Sequence, residues 1–223
     1  MSFTSSETAL ANQALAHMGV GKVIANMDSE PSREAVSARI FYETARDEVL
    51  RDFAWPFATR IGALALVSTN PVSDWGYAYR QPSGCLMFRR IISGSVPETR
   101  QSRVPYKIAA DEQGILIYCN LENAEGEWTI RSTAVEFYPP DFKTCLAYKL
   151  ASFMVPMLSA GDPFKLSDSL LAKYKIQLMK AAANARNEEQ QMEQPQSEFI
   201  RIRDGATSFD GQSPWQSIPP VTT

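Results

Sequence analysis

The chain has 223 residues, of which 44% are hydrophobic and 21% charged, the mix of an ordinary globular protein, and its length favours one domain, or one domain with an insertion. A domain of this size buries roughly 70% of its unfolded surface, so it needs no disulfide or metal staples. The formal net charge of −3, from 22 basic and 25 acidic side chains, gives no support to a sequence-specific DNA binder, and no run approaches the ~20 apolar residues of a membrane-spanning helix.

Met1 to Glu7 lacks the basic and apolar regions of a signal peptide, so synthesis and initial residence in a cytoplasm are expected. Thr4 and Glu7 have the spacing of a capping box. Ala9, Leu10, Ala14, Leu15 and Met18 follow at helical spacing, and Gly19 supplies the stop, giving a helix over about 5–18. His17 falls in the last turn, where a partial positive charge is favourable. Gly19-Val20-Gly21-Lys22-Val23 does not make a phosphate loop: Val23 stands where that motif needs a hydroxyl, and a helix precedes it instead of a strand. It reads as a turn.

A second helix is expected over about 31–52, capped by Ser29 or Glu30, with Pro31 in the first turn. Val36, Ile40, Phe41, Ala45 and Val49 form its apolar stripe. Phe53-Ala54-Trp55-Pro56-Phe57, three aromatics within five positions, then reads as a core plug at the helix end. From about 75 to 138 the pattern alternates, predicting a small antiparallel meander of about four strands with one buried face. Its strands are Cys85–Ile92, then segments around Val104-Tyr106-Ile108, Ile115-Ile117-Cys119 and Trp128-Ile130, with Trp75–Arg80 as an aromatic extended lead-in. Asp111–Gly114 and Glu122–Gly126 are the turn signals between successive strands.

Helices return over about 140–158 and 163–190. The first carries Phe142, Cys145, Leu146, Leu150, Phe153, Met154 and Met157, a stripe wide enough for a central core helix that Pro156 kinks or ends. Asp162-Pro163 starts the second, whose core face is Leu166, Leu170, Leu171, Tyr174, Leu178, Ala182 and Ala185. The predicted fold class is therefore α+β, mainly α: a helical bundle with a small antiparallel β-sheet insertion, followed by an extended C-terminal tail. Residues 1–194 form the expected single domain. The tail, 195–223, is polar with isolated apolar groups, and is expected to be disordered or to order on docking. Phe199, Ile200, Ile202, Phe209 and Trp215 are its candidate partner-docking residues.

Catalytic chemistry finds little to stand on. Cys85, Cys119 and Cys145 are odd in number and never paired as Cys-x-x-Cys, so they read as buried thiols. With one histidine, zinc sites and nucleophile–histidine triads lack their residues. Neither a cofactor nor a metal is expected. A cell-wall glycosidase needs two carboxyl groups about 5 to 9.5 Å apart, one of raised pKa. Glu43 and Asp47 sit one turn apart, but Arg39, Arg46 and Arg51 lie near enough to hold them ionised, and Glu122, Glu125 and Glu127 cluster in a screened turn. The chain is expected not to be an enzyme; a glycosidase, or a soluble module that binds a partner through its tail, are the competing expectations.

Three stretches carry a resemblance: Ala14–Val20, Arg46–Ala58 with its Trp55-Pro56-Phe57, and Trp75–Leu86 with Trp-x-Tyr-x-Tyr. The Phe137–Phe142 junction and the Leu146–Leu158 helix also fit. In these the chain resembles the head-to-tail adaptors of short-tailed bacteriophages, the tail tubular protein A-like or tail accessory factor proteins, over about residues 5–190. The resemblance implies a structural virion protein located at the head–tail junction and assembled in the host cytoplasm. It implies a homo-oligomeric ring of about twelve copies that binds the phage portal protein, seals the DNA-filled head and receives the distal tail (nozzle or tube) protein. Double-stranded DNA would pass through without sequence-specific binding, and no membrane anchor is implied.

Overall fold

The computed structural model describes residues 7–72, 74–94, 102–159 and 161–188, all within one compact unit. These residues form four helices, α1 (Glu7–His17), α2 (Arg33–Asp52), α3 (Pro140–Leu158) and α4 (Pro163–Glu188). Between α2 and α3 lie seven strands: β1 (Thr59–Ala63), β2 (Ala65–Val72), β3 (Trp75–Arg80), β4 (Cys85–Ile92), β5 (Tyr106–Asp111), β6 (Gly114–Cys119) and β7 (Glu125–Ile130). The fold is α+β and mainly α, a helical bundle with an antiparallel β insertion. No helix of the described residues is long and apolar enough to cross a membrane.

α3 is the hub, packing against α1, α2 and α4. Phe142, Cys145, Leu146, Leu150 and Met154 are fully buried, as a core helix demands. Met157, placed in the stripe by its spacing, is 37% exposed because α3 ends one residue later. Pro156 fits in that last turn and ends the helix within two residues. At the start of α4, Asp162 Oδ1 accepts from the Lys165 amide at 3.3 Å, the anticipated cap. Gly19 adopts φ +77°, the left-handed stop after α1.

α2 departs from expectation in two ways. Its cap is Ser32, which accepts from the Ala35 amide, so Pro31 lies outside the helix, and neither Ser29 nor Glu30 serves. Its core face is also rotated. Ala35, Ala38, Tyr42, Ala45, Val49 and Leu50 are buried, whereas Ile40 is 55% exposed and Val36 and Phe41 only half-buried. Small alanines let α2 lie close to its neighbours, which the larger Ile40 would prevent.

The insertion is larger than a four-stranded meander and starts at Thr59. It comprises a three-stranded sheet of order β1-β7-β4 and a four-stranded sheet of order β2-β3-β6-β5, all pairs antiparallel. Trp75–Arg80 is a full central strand. Glu122–Gly126 is not a hairpin turn, since β6 and β7 belong to different sheets. A separate small core of Leu64, Tyr79, Phe88, Ile91, Ile117 and Cys119 fills the insertion. Ile108 and Ile115, assigned to buried faces by alternation, are 48% and 42% exposed.

Candidate interaction surfaces

The junction of bundle and insertion is held by aromatic contacts and side-chain hydrogen bonds from both sides. Trp55 is 2% exposed, edge-on to Phe53 and Phe142, with its indole N–H donating to the Val49 carbonyl at 2.8 Å. Phe57 packs edge-on to Phe142 at 5.0 Å, which completes the aromatic plug. From the β4 side, Arg89 donates to the carbonyls of Leu50, Arg51 and Phe53 at 3.1, 2.9 and 2.9 Å and to Thr129 Oγ1 at 2.9 Å. One guanidinium thus closes the free carbonyls at the end of α2. The Tyr174 hydroxyl donates to Asp52 Oδ2 at 2.6 Å, tying α4 to the same helix end. Sequence spacing gave no sign of Arg89, because its partners lie about 40 positions away.

The carboxylates considered for catalysis are ion-paired or exposed. Asp47 lies between Arg46 at 3.0 Å and Arg131 at 2.9 Å, and Glu43 is exposed on α2. Arg39 turns away to the carbonyls of Asp28 and Glu30. Glu127 pairs with Arg90 at 2.6 Å, while Glu122 and Glu125 are exposed. Glu7, whose spacing pointed only to a capping box, has its pKa pushed up by burial, opposed by Arg46 and helped by Asp28 and Glu43. Among the described residues no group of three His, Cys, Asp or Glu side chains is placed to hold a metal.

His17 is in the last turn of α1, as anticipated, but its surroundings disfavour the charged form there. Its ring stacks on Tyr148 at 4.2 Å and its Nε2 is buried without a hydrogen-bond partner. Burial first, and the nearby Lys173 charge second, lower its pKa. Desolvation outweighs the helix-end attraction, which is worth at most about 2 kcal/mol. Cys119 and Cys145 are buried free thiols and Cys85 a half-buried one; burial raises all three and pushes Cys145 up to about 12.

Two surface features remain. A pocket of about 220 Å³ opens beside the plug, lined by Trp55, Phe57, Phe137, Asp141, Ala181 and Asn184. Asn184 donates to Asp141 Oδ2 at 3.0 Å across it. On α4, Phe164, Ile176 and Met179 are exposed by 72%, 51% and 65%. Phe199, Ile200, Ile202, Phe209 and Trp215 lie outside the described residues. No protein-family model matches the chain, and no curated protein matches it in sequence.

Proposed function

We propose that the chain is a structural virion subunit, a head-to-tail adaptor of a short-tailed bacteriophage, and that it works without catalysis. About twelve copies close as a ring beneath the portal, seal the DNA-filled head and present a seat for the distal tail protein. One observation carries this: α2 and α3 are separated by an antiparallel insertion whose base is the Trp55-Pro56-Phe57 plug and in which Trp75–Arg80 is an interior strand. The adaptor resemblance implies a helical bundle with a small β-sheet insertion, and the fold is compatible with that, although Trp75–Arg80 is itself a strand where the resemblance reads it as the entry to one.

The mechanism is geometric. A ring subunit meets two identical neighbours through two different surfaces, so the angle between those surfaces sets the copy number. A joint that wandered would prevent closure. The Arg89 clasp and the aromatic plug hold the insertion to the bundle at several points, which suits a rigid building block. Electron microscopy of portal rings mixed with the purified chain tests the assignment. An added ring of density on one end of the portal is expected; portal particles that stay unchanged at saturating chain would sink it.

A further inference from the structure

The outward side of α4 has a pattern that the core does not use. Ala172, Ile176, Met179 and Ala183 follow one another at steps of four, three and four residues, the heptad rhythm that keeps one seam along a helix. All four are exposed. The core side of the same helix, Leu170, Tyr174 and Ala181, is turned away on the opposite face. From Ala172 to Ala183 the seam runs about 16 Å, three turns of helix. Alanines at both ends leave room for a second backbone to approach.

The borders of the seam are basic. Lys175 and Arg186 follow one edge and Lys173 and Lys180 the other, with Lys165 about two turns before Ala172, and all five are exposed. Asp168 is the one carboxylate among the described side chains of α4. None of the five cations closes an ion pair among the described residues. A protein with a net charge of −3 thus concentrates positive charge around an uncovered apolar strip. Two copies meeting through this face would set lysine against lysine, which disfavours self-pairing. Carboxylates on the flanks of an apposed helix would meet these cations as flanking pairs do in coiled coils.

We propose that the outward face of α4 docks an amphipathic helix of another protein, apolar along its seam and acidic on both flanks. Ile176 and Met179 supply the apolar contact, and Lys173, Lys175, Lys180 and Arg186 select the charge. This surface goes beyond the ring assignment, and its test needs no portal.

The test is fluorescence anisotropy of the full chain with a labelled helical peptide bearing leucines at heptad spacing and glutamates on both flanks. A second peptide with lysines replacing those glutamates is the control. Saturable binding of the acidic peptide alone is expected, weakened about tenfold or more by Met179→Glu and by about 1 M salt. Lys175→Glu with Lys180→Glu should transfer the preference to the basic peptide. All positions are exposed, and an unchanged circular dichroism spectrum verifies each variant's fold. Absence of saturable binding, or equal binding of the two peptides, would overturn the proposal. So would self-association of the chain that Met179→Glu abolishes, which would give the face to a second copy.

Discussion

Replacing Arg89 by alanine is expected to loosen the joint between the bundle and the β insertion. Arg89 occupies the extra position of a bulge, between the pairs Phe88↔Trp128 and Arg90↔Glu127, and the bulge aims its side chain at the end of α2. Its bond to the Arg51 carbonyl is exposed, so water replaces it at little loss. The bonds to Leu50, Phe53 and Thr129 are partly buried. At roughly 1 kcal/mol each they sum to about 3 kcal/mol. With a urea slope of about 2 kcal/mol per M, the unfolding midpoint should fall by about 1.5 M. Arg89→Lys should recover about a third of that, since one ammonium cannot span a fork of acceptors. Arg60→Ala is the control, because that exposed guanidinium bonds the carbonyl of its neighbour Thr59. A loss below about 0.5 kcal/mol for Arg89→Ala, or an equal loss for Arg60→Ala, would refute the clasp.

Three further outcomes can be checked on the purified chain. Gly126→Ala places a methyl group 2.6 Å from the ring of Phe88 and 3.2 Å from Leu64, inside the insertion core; a loss of about 2 kcal/mol is expected by thermal or urea unfolding. His17 has a folded-state pKa below its ordinary 6.5, so the unfolded chain takes up the proton first, and stability is lost as pH falls below 6.5 towards the folded value. His17→Phe keeps the stack on Tyr148, and its unfolding midpoint should lack that fall; equal slopes in the two proteins over this window would contradict the assignment. Because Cys119 and Cys145 are buried and burial raises all three thiols, a thiol reagent should react slowly with the folded chain and label every cysteine once it is unfolded.

Where periodicity is local and strong, the fold was legible. The end of α1, the bounds of α3, the start of α4, the Gly19 stop and the Asp162 cap all follow from signals within a few residues of one another, while the expected Thr4 cap of α1 lies outside the described residues. The aromatic plug was legible too, because three rings within five positions have to be buried together. The face of α2 was legible only at Ala45 and Val49, which are buried as expected. Its buried positions include Ala35, Ser37, Ala38 and a nearly covered Arg46, while the residues that look apolar, such as Ile40, point outward. Alanine gives little hydrophobic contrast, so a helix packed close through alanines hides its core side.

Strand pairing was hidden for a different reason. Thr59 pairs with Thr129 and Ala63 with Glu125, partners more than sixty positions apart that no local pattern connects. Thr59-Arg60-Ile61-Gly62-Ala63 lacks clear alternation and has one edge free in its sheet, so it did not announce itself as a strand. The candidate surfaces divide in the same way. The heptad spacing on α4 can be read in the chain, but its exposure depends on which side of the helix faces α3. Arg89 became visible as a clasp only when β4 and the end of α2 were brought together.

The central claim is that this chain adds to a portal as a ring. Its most direct test is the absolute mass by light scattering, alone and then mixed with portal rings of the same phage. A 24.8 kDa monomer that adds about twelve subunits per portal is the predicted result. A monomer whose mass, and that of the portal, stay unchanged on mixing would contradict the adaptor assignment.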